Sequence, residues 1–489
     1  MNYYNDLQLP FDATADEIRE AYFEAARKYH PDVNPDKEAN RIFLKTQNAY
    51  ETLSSPHKRK IYDQSLGRID PLSDDVSVKV HYSRRSVLRL PEQQLFYALV
   101  ELECKQHFDA NSMPPVHICL VLDRSTSMSG ERLEMVRANV SQLLRKMRPF
   151  DLISIVTFSD RAEVVTQTTD LHNPHAVEAQ LYSIQVGGAT EIYQGLEAGY
   201  RLLMQNKFGT DFKFLILITD GHTYGDEAAC LDLAAKAWSD GLSITCMGIG
   251  HEWNDEFLDR LAASGGGSCG YVNDAGELSK LFERKLESIK IRFAHKVELN
   301  FEPQENVEIR YVFRIQPDVA PLNLERPMPI GALEYGNKTV FIIEFKIAPT
   351  ISLNERICLL KGKITLEIPS RSVLIGRFPI EWELKIGDDS LKEKPPTSIL
   401  QAMSKLTLYR LQERARSEVQ GGNYNQATRH LQHLATHLLS QGNRELARTV
   451  LMEADHIQRA HQFSKEGDKR IKYGTRALLM LPIPERQVK

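Results

Sequence analysis

"VHICLVLDRSTSMSG", residues 116–130, is a nearly unbroken apolar run that ends in an aspartate and passes into a serine-rich loop closed by glycine. Its apolar residues are successive rather than alternate, so a strand made from it must be covered on both faces. Three more runs read the same way: "DLISIVTFS" from 151, "FKFLILITDG" from 212 and "LSITCMGIG" from 242. The stretches between them carry helical stripes, such as Leu133, Val136, Val140, Leu143 and Met147. Buried strands alternating with amphipathic helices predict a doubly wound, largely parallel sheet, whose ligands gather at the carboxyl ends of its strands.

Those ends hold the polar residues. The first strand runs into Asp123, Ser125 and Ser127, "ITDG" supplies Asp220, and "GGATEIYQGL" places Thr190 just ahead of a helix. Two carboxylates and three hydroxyls make an all-oxygen set suited to a hard divalent cation, with waters completing the coordination, and magnesium is the expected ion. A plainer reading makes Ser125 and Ser127 helix caps and Asp220 a turn former. The pattern D-x-S-x-S, a distant threonine and an aspartate in T-D-G resembles the metal-ion-dependent adhesion site of von Willebrand factor type A domains. The resemblance implies that the metal bridges to a glutamate or aspartate of a protein partner and does no catalysis.

At the front of the chain, Thr14 and Glu17 make a capping box, and Ile18, Ala21, Tyr22, Ala25 and Tyr29 repeat at helical spacing, predicting a helix over 15–29. A second pattern runs through Ala39, Phe43, Thr46, Tyr50 and Leu53. Between them stands "YHPDVNP", residues 29–35, whose two prolines and two aspartates helix packing alone does not require. The two helices are expected to form an antiparallel hairpin with a short helix on either side. With "YYNDLQL", "ADEIREAYFEAARKYHPDVNP" and "NAYETLSSPHKRKIYD", residues 1–66 resemble the J-domain of the DnaJ co-chaperones. That resemblance implies that His30, Pro31 and Asp32 dock on a DnaK-class chaperone ATPase and stimulate it, Asp32 pairing with an arginine there, while Arg19, Arg27 and Lys28 face an acidic patch. Glu20, Phe23 and Glu24 occupy positions that are commonly basic in that family.

Residues 290–387 change to short β-rich runs such as "KTVFIIEFKI" and "RICLLKGKITLEI", which predict antiparallel sheet. "VSVKVHYS" and "QQLFYALVELEC", within 77–109, have no helix between them and need the same sheet. The expected architecture is therefore multidomain α/β: a helical J-domain hairpin (1–66), a linker (67–76), a β-sandwich (77–109 and 290–387) into which a doubly wound von Willebrand type A domain (110–289) is inserted, a second linker (388–397), and a helical bundle (398–489). The bundle rests on "GGNYNQATRHLQHLA" and "QGNRELARTVLMEA", two glycine-broken helical segments offset by twenty residues.

Balanced charge, 61 basic against 65 acidic residues, provides no basic field for nucleic acid or an anionic membrane. Six cysteines without a C-x-x-C pair point to a reducing compartment and no zinc site, and the absence of a leader or a spanning run points to the cytoplasm. Enzyme signatures fail in detail. Ser125 stands where a haloacid dehalogenase-type phosphatase needs a second aspartate, and "GGSCG", 266–270, has its helix before Ser268 and its strand after, the reverse of a nucleophile elbow. His430, His433 and His437 share a helix face but read as its solvated side. The expectation is a non-enzymatic co-chaperone that stimulates a DnaK-class ATPase and binds its partner or client through magnesium. The alternative is a scaffold working with a MoxR-type AAA+ ATPase, its hairpin serving only for docking.

Overall fold

The computed structural model describes residues 3–9, 13, 15–30, 34, 36–55, 58–59, 75–105, 115–205, 212–223, 225–351, 353, 355–368, 375–387 and 395–479. The chain forms two units, Met1–Asp75 and Val76–Lys489. In the first, helices α1 (Tyr3–Asp6), α2 (Ala15–Tyr29) and α3 (Lys37–Leu53) enclose a small core of Tyr4, Leu7, Ala13, Ile18, Ala49 and Leu53. Tyr22 of α2 stacks on Tyr50 of α3 at 4.2 Å, and His30 meets Phe43 edge-on at 5.0 Å. Going from Tyr22 to His30 along the first helix, the contacts move back from Tyr50 to Phe43 along α3, which makes the hairpin antiparallel. The Thr14 cap lies outside the described residues.

The second unit opens with β1 (Val76–Tyr82), β2 (Ser86–Val87) and β3 (Gln94–Cys104), and the α/β domain follows. That domain contains β4 (Val116–Asp123), α4 (Glu131–Lys146), β5 (Leu152–Phe158), β6 (Ala162–Asp170), α5 (Pro174–Tyr182) and α6 (Ile192–Met204). It continues with β7 (Phe212–Thr219), α7 (Glu227–Ser239), β8 (Leu242–Ile249), α8 (Asp255–Ser264), β9 (Cys269–Val272) and α9 (Ala275–Lys290). The sheet order is β6-β5-β4-β7-β8-β9, parallel except for the edge strand β6. Alternate residues of β4 face opposite layers. Ile118, Leu120 and Leu122 pack with α4, α5 and α9, while Cys119 and Val121 pack with α6, α7 and α8. The chain leaves β4 toward β5 on one side and returns on the other as β7, so the crevice of this sheet opens between the carboxyl ends of β4 and β7.

After the insert come β10 (Arg292–Glu302), β11 (Val307–Gln316), β12 (Ala320–Pro321), β13 (Met328–Glu334), β14 (Lys338–Ile347), β15 (Arg356–Glu367) and β16 (Ile375–Ile386). They form two sheets of a sandwich, β1-β3-β14-β11-β12 and β13-β10-β15-β16-β2. β3, from before the insert, pairs antiparallel with β14 from after it, Gln94 opposite Ile347 and Glu103 opposite Lys338. The α/β domain is therefore inserted in the sandwich.

The last helices among the described residues are α10 (Thr397–Gln420), α11 (Tyr424–Ser440), α12 (Arg444–Ala460) and α13 (Lys465–Leu479). They share a core that includes Leu431, Leu434, Val450, Ile457 and Ile471. The first turns of α10 lay Ile399, Ala402 and Leu406 on Leu99, Phe313 and Ile342 of the sandwich. All six cysteines are free thiols, five of them buried. No helix among the described residues is long and apolar enough to cross a membrane.

Candidate metal site

β4 ends on Asp123, which is fully buried, and the chain then makes a single 3₁₀ turn, Thr126–Met128, pinned by the buried Met128. The Ser125 backbone N–H donates to Asp123 Oδ1 at 2.8 Å, and Thr219 Oγ1, from the last residue of β7, donates to Oδ2 at 2.6 Å. Burial pushes the Asp123 carboxyl up to about 6, although the bonds from Thr219 and Ser125 oppose the rise. Ser125 Oγ lies 2.9 Å from Ser127 Oγ, which donates to Asp220 Oδ1 at 2.7 Å. Thr190 reaches the same crevice from the loop ahead of α6. A Cβ on Gly221 would lie 3.0 Å from Thr190 Oγ1, so the two loops approach closely enough that a side chain at 221 would press on the Thr190 hydroxyl. The Thr190 loop is fastened to the serine loop by Gly187 N–H donating to the Arg124 carbonyl at 2.8 Å and Thr126 N–H donating to that of Gly188 at 3.3 Å.

The structure thus brings Asp123, Ser125, Ser127, Thr190 and Asp220 together at the switch point between β4 and β7. Ser125 begins the 3₁₀ turn without a side-chain capping bond, so the helix-cap reading does not describe it. The set fits a hard divalent cation on its own chemistry: every donor is oxygen, two are carboxylates withdrawn from water, and the charge of Asp220 already holds a cation, the guanidinium of Arg132. Sequence patterns missed Thr219 and Arg132. Thr219 stands immediately before Asp220 in "ITDG", and Arg132 follows Ser127 by five residues in the first turn of α4.

In the first unit, Arg19, Arg27 and Lys28 are exposed along α2, as are Glu20, Glu24 and Phe23, the last 51% exposed. His30 ends the helix, its N–H donating to the Ala26 carbonyl at 3.0 Å. Pro31 and Asp32 lie outside the described residues. Ser268 donates to Asp318 at 2.6 Å and precedes strand β9. His433 and His437 are exposed, opposite the buried Leu431, Leu434 and Leu438.

Three family models match the chain: a DnaJ domain over residues 2–63, a von Willebrand factor type A domain over 117–284, and an Sll0103-like, C-terminal alpha-helical domain over 397–481. The protein sll0103 of Synechocystis sp. is 28% identical over 275 residues, 55% of this chain and 62% of the relative. A DnaJ chaperone of Caldicellulosiruptor bescii is 52% identical over 64 residues, 13% of this chain and 16% of the relative. The chain thus covers less than two thirds of either relative. Among solved structures, a von Willebrand factor type A protein from Catenulispora acidiphila superposes with a TM-score of 0.64 at 15% identity, covering 82% of this chain and 96% of that one. The ArnB paralog VWA2 of Sulfolobus acidocaldarius gives 0.53 at 17% identity, covering 83% and 99%. At these identities the likeness is one of fold. The chain therefore carries a DnaJ domain, a von Willebrand factor type A domain and an Sll0103-like C-terminal helical domain.

Proposed function

We propose that the protein is a cytoplasmic, non-enzymatic co-chaperone. Its J-domain recruits and stimulates a DnaK-class chaperone ATPase through His30, Pro31 and Asp32. Its von Willebrand module holds a protein partner or client through a magnesium ion at Asp123, Ser125, Ser127, Thr190 and Asp220, a carboxylate of the partner completing the coordination. One observation carries this reading. The same chain joins a hairpin segment 52% identical over 64 residues to a DnaJ chaperone, with His30-Pro31-Asp32 intact, to an all-oxygen cluster at the carboxyl ends of β4 and β7.

In this reading the metal supplies a Lewis-acidic position for the partner's carboxylate. The chain's own part is to hold the hydroxyls and carboxylates in register. Thr219 and the Ser125 N–H fix the Asp123 carboxylate, and Ser127 links Ser125 to Asp220.

The test is single-turnover ATP hydrolysis by a DnaK-class chaperone with the wild-type chain and with Asp32→Asn, which keeps the size of the loop residue and removes its charge. Wild-type protein should accelerate hydrolysis, and the variant should need at least about tenfold more protein for the same effect, the worth of one charge-assisted hydrogen bond. Equal stimulation by both would remove Asp32 from the contact. No stimulation of an active chaperone by either would overturn the co-chaperone reading.

A further inference from the structure

Asp220 is fully buried, and both of its oxygens are engaged. Oδ1 accepts from Ser127 Oγ at 2.7 Å, and Oδ2 accepts from Arg132 Nη1. The same Nη1 donates to the Ser127 carbonyl at 3.3 Å, so one guanidinium bridges the backbone of one member of the cluster and the carboxylate of another. The Arg132 backbone is fixed in the first turn of α4, but its side chain is 34% exposed, so it has solvent to move into. Beyond it runs the loop after β8. Gly250 there has a φ of +67°, a conformation that favours glycine, and its backbone lies close enough that a Cβ on it would touch Arg132 Nη2 at 3.4 Å.

Resting on the reading of this cluster as a divalent-cation site, we propose that Arg132 is a built-in counter-ion that the metal must displace from Asp220, and that it thereby sets the affinity of the site for metal.

The argument is one of charge in a place withdrawn from water. A buried carboxylate without a partner is strongly unfavourable, so Arg132 stabilises the metal-free chain. A dication drawn to Asp220 meets a positive charge already bonded to Oδ2 of the same carboxylate. An arginine does not relieve that repulsion by losing its proton, so it must swing away. Asp123 is held by neutral donors, Thr219 and the Ser125 N–H, and among the described residues no cation bonds to it. With Arg132 in place the two carboxylates keep one unbalanced negative charge. With the dication in its stead they are neutral, and with both cations present they are overcompensated. In the chain without a partner, neutrality therefore favours exchange of one cation for the other over co-occupancy.

The experiment titrates the full chain with Mn²⁺, reading free Mn²⁺ by electron paramagnetic resonance, for wild type, Arg132→Gln and Arg132→Lys. Arg132→Gln should bind about tenfold tighter, since the competing charge-assisted bond is gone. Arg132→Lys, which keeps the charge, should stay near wild type. Arg132→Met, which keeps the aliphatic stem, replaces the Gln variant if thermal melting shows that protein unfolded. Tight binding by the neutral variants with none detectable in wild type would also support the proposal. Wild-type affinity in the neutral variants, or Lys behaving as Gln does, would overturn it while leaving the metal site standing. No Mn²⁺ bound by any variant would overturn the site and the proposal together.

Discussion

His117 interrupts the apolar run of β4. It is fully buried, with Nε2 2.7 Å from Ser154 Oγ. Burial, and then the charge of Lys213, hold its pKa down to about 4, whereas a histidine in the unfolded chain titrates near 6.5. Between those values the unfolded state binds the extra proton, so this contribution to stability is complete above about pH 6.5 and is lost as the pH falls toward 4. The shift corresponds to about 3 kcal/mol. Urea unfolding at pH 7.5 and 4.5 should therefore show a marked loss in the wild type and a smaller one in His117→Gln, which does not titrate. Equal losses in the two proteins would show that other groups carry the acid sensitivity.

At the scale of single elements, α6 is the helix that delivers Thr190, and it lies unusually close to the sheet. A Cβ on Gly195 would be 2.6 Å from Phe158 Cδ1, and one on Gly199 2.8 Å from Val121 Cγ2. Its first turn is capped from a distant loop: the Tyr193 N–H donates to Asp226 Oδ2 at 2.8 Å and the Ile192 N–H to Thr223 Oγ1 at 3.3 Å. Gly195→Ala should push α6 outward at a cost of about 1–3 kcal/mol, the usual range for an overpacked core. Since Thr190 stands two residues ahead of α6, the same variant should also weaken Mn²⁺ binding. Urea denaturation and the Mn²⁺ titration read the two effects separately, and an unchanged midpoint would mean that the sheet yields without strain.

In the unit Val76–Lys489, the C-terminal helices are tied to both other layers. α10 lies on the sandwich, and α10 and α13 meet α8 of the inserted domain through buried charges. Arg416 pairs with Asp255 at 3.0 Å and with Asp468 at 2.6 Å, Lys472 with Asp259 at 2.8 Å, and Arg476 with both oxygens of Asp259 at 2.6 and 2.7 Å. These contacts hold the Asp259 carboxyl below its usual range even though burial alone would raise it. Asp259→Asn would strip the charge from between two buried cations and should cost about 3–5 kcal/mol. Differential scanning calorimetry should show one lowered transition, because the helices brace the rest of this unit. A separate early transition for the helices, with the remainder unchanged, would contradict that bracing role.

Much of this protein was legible in its sequence because the deciding signals are local. Continuous apolar runs alternating with helical stripes specify the buried parallel sheet around β4, and the β-rich runs on either side imply the interrupted sandwich. The spacing of Asp123, Ser125 and Ser127, with Asp220 after a strand and Thr190 before a helix, depends only on neighbours in the chain and on where such strands end. What only the tertiary structure decided are pairings between residues far apart in the chain. Thr219 reaches Asp123 across 96 residues, Arg132 reaches Asp220 across 88, and Arg476 reaches Asp259 across 217. No periodicity spans such separations. A side chain's charge and length say that it needs a partner, but which partner it finds is set by how the layers pack.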